Sequence, residues 1–218
     1  MCTDSTAQRG ESPCRNTHGR GFTLIEVAIV MVILGLLIGL GAELLPMLVK
    51  QNKLKDNRAL AREAKTAIIG YALAVGRLPY ASSSVNGSET PGRLNGYLPW
   101  ATLGIQGRDP YNTTLFYAVD SHLAGTTSIT QFKQRLADLI AGNLPCDLYC
   151  DYPNIKAAFV VISAGENLRA DPPNDDNNNS IVDIHDDNRF ASPSSVFTAA
   201  YDDVLEAAGL TYLHGIVP

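Results

Sequence analysis

The feature that most constrains the fold of this chain is an uninterrupted run of apolar side chains near its N-terminus. The run extends from Val27 to Ala42 with the sequence VAIVMVILGLLIGLGA, and a single carboxylate, Glu26, separates it from the apolar residues before it. As a helix, residues 22–42 are roughly 30 Å long, which is enough to cross the hydrocarbon core of a bilayer. The sequence therefore predicts a membrane-spanning helix, in which Glu26 is the residue that needs an explanation.

The composition of the whole chain bounds its class. The chain has 218 residues, of which 45% are hydrophobic and 18% are charged, and its formal net charge is −5. This length accommodates one globular domain and an accessory element. Since the sequence contains no basic patch, we do not expect a nucleic-acid partner.

Two interpretations of the apolar run do not require any assembly. A secretory signal peptide would be cut near Gly39 to Gly41, but a carboxylate such as Glu26 is unexpected in its apolar centre, and the helical pattern continues beyond that position. A plain single-span anchor fits the length. Basic residues lie on both sides of the run, so they leave the orientation of such an anchor open.

The residues at the start of the run, GFTLIEV (21–27), resemble the prepilin processing site of the type IV pilin and type II secretion pseudopilin superfamily. The resemblance implies that a prepilin peptidase removes residues 1–21 by cleavage between Gly21 and Phe22, and that the new amino terminus of Phe22 is methylated. A pair between Glu26 and the Phe22 amine of a neighbouring subunit would offset part of the cost of desolvating that carboxylate.

The resemblance also implies a location and partners. The precursor is expected in the inner membrane as a single-pass protein with its head in the periplasm, where lipid surrounds the apolar helix. An inner-membrane assembly platform and other pilin or pseudopilin subunits then take it into a periplasmic or surface filament. The choice between a secretion pseudopilus and a type IV pilus stays open.

Helical spacing continues past the apolar run, and the sequence predicts one helix over residues 22–76 with a bend at Pro46. Its core-facing stripe is predicted to consist of Leu60, Ala64, Ile68, Tyr71 and Val75. Residues 77–218 are predicted to form a periplasmic, pilin-like head. The expected fold class is α+β, with the long N-terminal helix packed on a small antiparallel β-sheet and the first half of that helix in the membrane.

Local patterns place several elements within the head. We predict a turn at residues 109–112, a strand over 115–119 and a buried strand over 157–163. A helix is predicted between Ser128, whose spacing to Gln131 matches a capping box, and Gly142, which suits a C-terminal stop. The last 30 or so residues are compatible with a strand that completes the sheet or with a terminal helix.

A loop rich in Asp and Asn alternates oxygen ligands at the spacing of a calcium loop. The ligand positions fall on Asp175, Asn177, Asn179, the carbonyl of Ile181, Asp183 and Asp186. Ser180 stands at the position of the turn glycine, and Asp186 is shorter than the usual glutamate. The sequence predicts a Ca²⁺ site because an ordered loop with so many carboxylates needs a cation, and the alternative is a solvated acidic loop.

The four cysteines separate by compartment. Cys2 and Cys14 lie in the segment that processing would remove, while Cys146 and Cys150 would face an oxidising periplasm. We therefore predict a disulfide between Cys146 and Cys150, with a pair of free thiols as the alternative.

The sequence carries no enzyme motif. A nucleophile elbow, a phosphate-binding loop and a His-Glu zinc motif are all missing from it, and its four histidines are scattered. We therefore expect a structural subunit without catalytic activity. The alternative from another class is a membrane-anchored periplasmic binding domain or enzyme with a single N-terminal span.

Overall fold

The computed structural model of the chain describes residues 21–151, 155–175, 189–198 and 201–218. The chain divides into two compact units, one that ends at Met47 and one that begins at Leu48. The first helix, α1 (Leu24–Val75), contributes to both units.

Helix α1 is close to its predicted bounds of 22–76. It ends where Gly76 adopts a φ of +80°, a conformation that favours glycine, and a Cβ there would clash with the backbone of Ile129. The helix is continuous through Pro46, and the predicted bend at this residue stays a prediction. Within the described residues, no helix combines the length and the apolar character that a membrane span requires.

The second part of α1 supplies one wall of the head's core. Its buried apolar side chains are Leu60, Ala61, Ala64, Ile68 and Ala72, and Asn57 is buried as well. The predicted stripe is therefore right at Leu60, Ala64 and Ile68, but Tyr71 is only half-buried and Val75 is 45% exposed. Tyr71 directs its hydroxyl to Glu89, and Val75 is the last helical residue before the chain turns at Gly76.

Within the described residues, six strands form the sheet of the head. They are β1 (Asn95–Tyr97), β2 (Phe116–Val119), β3 (Tyr149–Cys150), β4 (Ile155–Ser163), β5 (Arg189–Phe190) and β6 (Val204–Gly209). Strand β4 is central and pairs antiparallel with β2, β3 and β6, while β1 pairs with β2. The short β3–β5 pair is parallel, which departs from the antiparallel sheet that was predicted. The α+β class itself is confirmed.

The described part of the head also contains four shorter helices: α2 (Trp100–Leu103), α3 (Ser121–Ala124), α4 (Ile129–Ala141) and α5 (Leu210–Ile216). Both predicted ends of α4 are present. At its N-terminus Ser128 Oγ accepts from the Gln131 N–H at 3.2 Å, and at its C-terminus Gly142 is left-handed. Strand β6 and helix α5 follow one another directly, so the C-terminal residues adopt both of the structures that the sequence left open.

The sheet separates two apolar clusters. Alternate residues of the strands point to opposite faces, so Tyr117, Phe159 and Val161 pack with α1, α4 and α5, whereas Phe116 and Val160 pack on the other face. Because both faces are covered, β4 is buried from Ala157 to Ser163.

A tryptophan is held in the loops beside the sheet. Trp100 packs against the first cluster, and its indole N–H donates to the carbonyl of Val85 at 3.1 Å. A Cβ at either Gly87 or Gly107 would overlap the indole ring, so these two glycines allow the backbone to pack directly against it. Gly87 also has a φ of +73°, so both its backbone conformation and its contact with the indole ring favour glycine there.

Candidate assembly helix and candidate cation site

The first part of α1 differs from an ordinary surface helix because its apolar side chains are exposed in every direction. From Phe22 to Ile38, every large apolar side chain is at least 46% exposed. A helix that is apolar on all sides is stable only where something apolar surrounds it, such as lipid or other helices. This segment therefore requires lipid or other helices around it.

The N-terminus of α1 is closed by two of its own side chains. The Glu26 N–H donates to Thr23 Oγ1 at 3.3 Å, and the Thr23 N–H donates to Glu26 Oε2 at 3.4 Å. This reciprocal arrangement is a capping box, in which a threonine and a glutamate three residues later satisfy each other's backbone N–H groups. The T-x-x-E spacing was visible in the sequence, but the sequence analysis considered only a partner for Glu26 on another subunit.

Two glycines in the exposed part of α1 lie one turn apart. No atom that the structure describes lies within 4 Å of a Cβ placed at Gly35 or Gly39. In membranes, a G-x-x-x-G spacing lets two helices approach closely enough for backbone contact. This spacing also was present in the sequence and was missed.

An acidic cluster, which consists of Asp171, Asp202 and Asp203, lies where two parts of the head meet. Asp171 belongs to the loop after β4, and the other two residues immediately precede β6. One carboxylate oxygen of each residue lies within 4.8 Å of the other two. Asp203 is 2% exposed and Asp171 is 9% exposed, so the cluster is an interior feature of the head.

Backbone N–H groups hold one oxygen of each carboxylate in place. Asp202 Oδ2 accepts from the Glu166 and Asn167 N–H groups at 2.7 and 3.0 Å. Asp203 Oδ2 accepts from the Asp171 N–H at 2.7 Å, and Asp171 Oδ2 accepts from the Asp202 N–H at 2.9 Å. The other oxygens of Asp202 and Asp203, the two Oδ1 atoms, are buried and have no hydrogen-bond partner among the described residues.

The electrostatics of the acidic cluster are unfavourable for three bare carboxylates. Burial raises the pKa of Asp203 to about 7, against hydrogen bonds from Asn174 and Asp171 that lower it, and the neighbouring charges of Asp171 and Asp202 raise it further. Burial also raises the pKa of Asp202. The fold therefore gathers negative charge at a place where water does not solvate it fully.

The calcium loop predicted from spacing is described only at its first residue. Asp175 is buried, and its N–H donates to the Asp171 carbonyl at 3.4 Å, so the loop begins beside the acidic cluster. The other predicted ligands lie outside the described residues: Asn177, Asn179, Ile181, Asp183 and Asp186. Calcium binding by this spacing stays a prediction.

The structure contradicts the disulfide predicted between Cys146 and Cys150. Both residues are buried free thiols. Cys146 packs in the cluster that contains α1, and Cys150 packs in the cluster on the other face of the sheet, so their side chains enter different parts of the core. Burial raises the pKa of the Cys146 thiol to about 11 and that of Cys150 to about 12, which leaves both thiols protonated at neutral pH.

A second group of acidic and histidine side chains lies at the start of α3. Asp120, His122 and Asp147 each place a ligand atom within 4.8 Å of the others. Asp120 accepts from the His122 and Asp147 N–H groups at 2.9 and 3.0 Å, and Asp147 accepts from the Ser121 hydroxyl. These carboxylates are already used as a helix cap and a loop contact, so their role is structural.

Comparison with known proteins identifies the N-terminal segment. A family model described as the prokaryotic N-terminal methylation motif matches residues 17–42. This motif is the prepilin-type signal of type IV pilins and pseudopilins, so the match confirms the resemblance seen in residues 21–27. A comparison with curated proteins and with solved structures found no match. The chain thus carries a pilin-type N-terminal anchor on an α+β head.

Proposed function

We propose that the chain is a pilin-like structural subunit that assembles through α1 into a type II secretion pseudopilus or a type IV pilus-like filament. The observation that carries the proposal is the methylation motif at residues 17–42, which heads a helix whose apolar side chains are exposed on all sides. The work of such a subunit is mechanical, and it requires no catalytic group.

Processing is the first step of the proposed cycle. A prepilin peptidase at the inner membrane cuts between Gly21 and Phe22, and the Phe22 amine is then methylated. Gly21 places no side chain at the bond that is cut, and no atom of residues 21–151 or of the other described residues lies within 4 Å of where its Cβ would be. The described part of the chain therefore leaves room for a bulky residue at position 21, and we expect any block to processing to arise in the peptidase.

Anchoring and assembly follow. Before assembly, the run from Val27 to Ala42 lies in the lipid of the inner membrane, and the head lies in the periplasm. Transfer of this helix from lipid to a filament gains little hydrophobic free energy, because lipid tails are as apolar as leucine. The preference for neighbouring subunits must then come from close packing, for which Gly35 and Gly39 leave room, and from a partner for Glu26.

Glu26 has two separable roles in this proposal. Within one chain it caps α1 with Thr23. Between chains its negative charge pairs with the Phe22 amine of a neighbouring subunit, which offsets the cost of a carboxylate in an apolar surrounding. A glutamine keeps the capping geometry and removes the charge, whereas Thr23→Ala removes the cap and keeps the charge.

The two roles are tested by comparing Glu26→Gln with Thr23→Ala in cells that carry the complete assembly machinery. We expect Glu26→Gln to insert in the membrane but to lose most of the sedimentable filament, and Thr23→Ala to assemble nearly as well as the wild type. Normal filament yield with Glu26→Gln would refute the pairing. A loss confined to Thr23→Ala would show that capping is what matters.

Processing is tested by intact mass. The membrane form is expected to lack residues 1–21 and to carry one additional methyl group, and Gly21→Leu is expected to leave the full precursor in the membrane. Gly21→Ala is the matched control, because it preserves a small side chain. A wild-type chain that keeps its leader in cells with active peptidase contradicts the proposal. Recovery of stable monomers only, with no filament under any condition, favours a membrane-anchored periplasmic binding domain or enzyme.

A further inference from the structure

We propose that the turn at Asn86 and Gly87 is a site of spontaneous covalent modification, at which Asn86 is converted to aspartate or isoaspartate, while the same dipeptide in β1 is protected. The dipeptide Asn-Gly occurs twice in the chain, at residues 86–87 and 95–96. Asparagine is among the thermolabile residues of proteins, and a following glycine places no side chain in the way of the reaction. The inference concerns the head alone and holds whether or not the chain forms filaments.

The reaction uses the Asn86 side-chain amide, the next backbone nitrogen and water. The backbone nitrogen of Gly87 gives up its proton to solvent and attacks Asn86 Cγ, so that a C–N bond forms and the C–NH2 bond breaks. The side-chain nitrogen takes up a proton and leaves as ammonia, and the product is a cyclic succinimide. Water then opens this ring without any change of oxidation state. Opening at Cγ gives aspartate, and opening at the main-chain carbonyl gives isoaspartate.

The structure leaves Asn86 accessible and weakly held. Asn86 is exposed and lies in a turn. Its N–H donates to Ser84 Oγ, and the Gly87 N–H donates to the Ser84 carbonyl, both at 3.4 Å. These distances exceed the usual range of about 2.7–3.2 Å for N–H···O bonds. The nitrogen that attacks is therefore only weakly engaged, and little opposes the rotation that brings it to the side chain.

The second Asn-Gly dipeptide provides an internal control. Asn95 and Gly96 lie in strand β1, which pairs with β2. On the other side of β1, Tyr97 exchanges two backbone hydrogen bonds with Ser82, at 2.8 and 3.0 Å. Ring closure requires the backbone to rotate at Asn95, so β1 must first be released from these neighbours. The dipeptide is thus predicted to react in the turn and to be protected in the strand.

Modification at Asn86 changes the loop that holds Trp100. The Val85 carbonyl accepts from the Trp100 indole N–H at 3.1 Å. The Gly87 carbonyl accepts from the Ala101 N–H at 2.9 Å. Isoaspartate adds a methylene group to the main chain between these two carbonyls, so the two hydrogen bonds no longer fit together. The product also carries a carboxylate that is ionised at neutral pH, in place of a neutral amide.

The experiment is a time course of the full chain in detergent at mildly alkaline pH, followed by digestion with trypsin and mass spectrometry. Trypsin places the two Asn-Gly dipeptides on separate peptides, residues 78–93 and 94–108, and neither peptide contains another asparagine. We expect peptide 78–93 to gain the mass difference between an OH and an NH2 group at least about ten times faster than peptide 94–108, because release of β1 opposes the second reaction. Fragmentation by electron transfer distinguishes isoaspartate from aspartate.

The same time course in urea removes the effect of the fold. Both peptides should then react at similar rates, because each contains the same dipeptide. If peptide 78–93 of the folded chain stays unmodified while that of the unfolded chain reacts, the turn protects Asn86 and the proposal is wrong. Equal rates for the two peptides in the folded chain would overturn it as well, since the turn would then be no different from the strand.

Asn86→Gln is the matched variant for the consequence at Trp100. Glutamine keeps an exposed amide, but it closes a larger ring and reacts much more slowly. During incubation of the wild type, the indole emission is expected to shift to longer wavelength in proportion to the isoaspartate formed, and in Asn86→Gln it should stay constant. Freshly prepared Asn86→Asp carries the charge on an unlengthened main chain, and its emission should match that of the unmodified wild type. An equal shift in Asn86→Gln would refute the link between this site and Trp100.

Discussion

The two parts of helix α1 use apolar residues in opposite ways. From Leu24 to Ile38 the apolar side chains cover the whole circumference and are exposed, whereas from Leu60 to Ala72 they form one stripe that is buried in the head. The first part has no core of its own in a single chain, and the second part has one. A single helix therefore serves two different purposes, and the sequence marks the change by the frequent charged residues from Lys50 onward.

One carboxylate at the start of α1 and one in the head differ in the same sense. Glu89, in the loop of the head that follows α1, accepts hydrogen bonds from Arg77 at 2.7 and 2.9 Å, from Tyr71 at 3.2 Å and from the Tyr80 N–H at 3.1 Å. Glu26 accepts only from Thr23 among the contacts of the described residues. A fully satisfied carboxylate stabilises a folded unit, and one with spare acceptors is suited to a partner from outside.

The largest difference is expected from one substitution made in each part. Ile68→Ala removes a fully buried side chain and should lower the head's unfolding free energy by about 2–5 kcal/mol. Ile33→Ala, at a residue that is 51% exposed, should leave that free energy unchanged and reduce filament yield instead. Denaturant unfolding followed by circular dichroism measures the first quantity. Equal destabilisation by both variants would contradict the view that only the second part of α1 belongs to the core of the head.

A smaller effect is expected from Glu89→Gln, and it should depend on pH. The hydrogen bonds from Arg77 lower the pKa of Glu89 in the folded state. The charged carboxylate therefore stabilises the head at pH values above its unfolded pKa of about 4.3, and this contribution is lost as the pH falls through the lower folded pKa. At pH 7 the variant should be less stable by about 1–2 kcal/mol, and the gap to the wild type should narrow toward pH 3.

The measurement for Glu89 is the unfolding free energy as a function of pH for both chains. A gap that stays constant from pH 7 to pH 3 would show that the lost interaction is a matter of packing. A matched change at Glu26 should leave this pH profile as it is in the wild type, because that residue lies outside the head.

Loss of a helix cap is expected to change the unfolding free energy by about half as much as Glu89→Gln does. Ser128→Ala removes the N-cap of α4 and should cost the head about 1 kcal/mol of stability. Thr23→Ala removes the corresponding cap of α1, where no core depends on it, and should leave the melting temperature of the head unchanged. A drop in melting temperature for Thr23→Ala would mean that the two units of the chain unfold together.

The smallest effect is expected at a surface pair of the second part. Lys50 Nζ lies 2.5 Å from Glu166 Oε2, but the two side chains are 68% and 54% exposed. Exposed pairs are screened by salt and contribute little. Lys50→Ala should therefore leave the melting temperature unchanged at physiological ionic strength, and a clear decrease would show that this pair, as well as the apolar stripe, attaches the helix to the head.

Local patterns in the sequence predicted much of this fold. The bounds of α1, the cap at Ser128 and the stop at Gly142 depend on neighbouring residues, and the structure agrees with them. The left-handed Asn112, with a φ of 67°, confirms the turn at residues 109–112 for the same reason. Interactions over three or four residues are those that a linear pattern contains.

Features that depend on distant residues could not be predicted in this way. Asp171 and Asp203 meet because β6 pairs with β4, and that pairing joins residues far apart in the sequence. The disulfide failed for the opposite reason: Cys146 and Cys150 are close in sequence, but the path of the chain into β3 directs them to opposite faces of the sheet. The spacing of acidic residues from Asp175 onward points to the part of the head where the acidic cluster lies. Of the residues in that spacing, Asp175 is the one that the structure describes beside the cluster.

The position of Trp100 in the loops beside the sheet has a practical consequence. Trp100 is the only tryptophan in the chain, and it lies in the second unit, packed against Gly87 and Gly107. Its fluorescence will therefore report on the environment of that one loop region, and it will be silent about the exposed apolar helix. The circular dichroism signal contains the helical contribution of both parts of α1. Indole emission reports on the head alone, so the two signals together distinguish the unfolding of the head from that of the first part of α1. A melting curve from fluorescence and one from dichroism, recorded on the same sample, will coincide only if the exposed apolar part of α1 loses its structure when the head does.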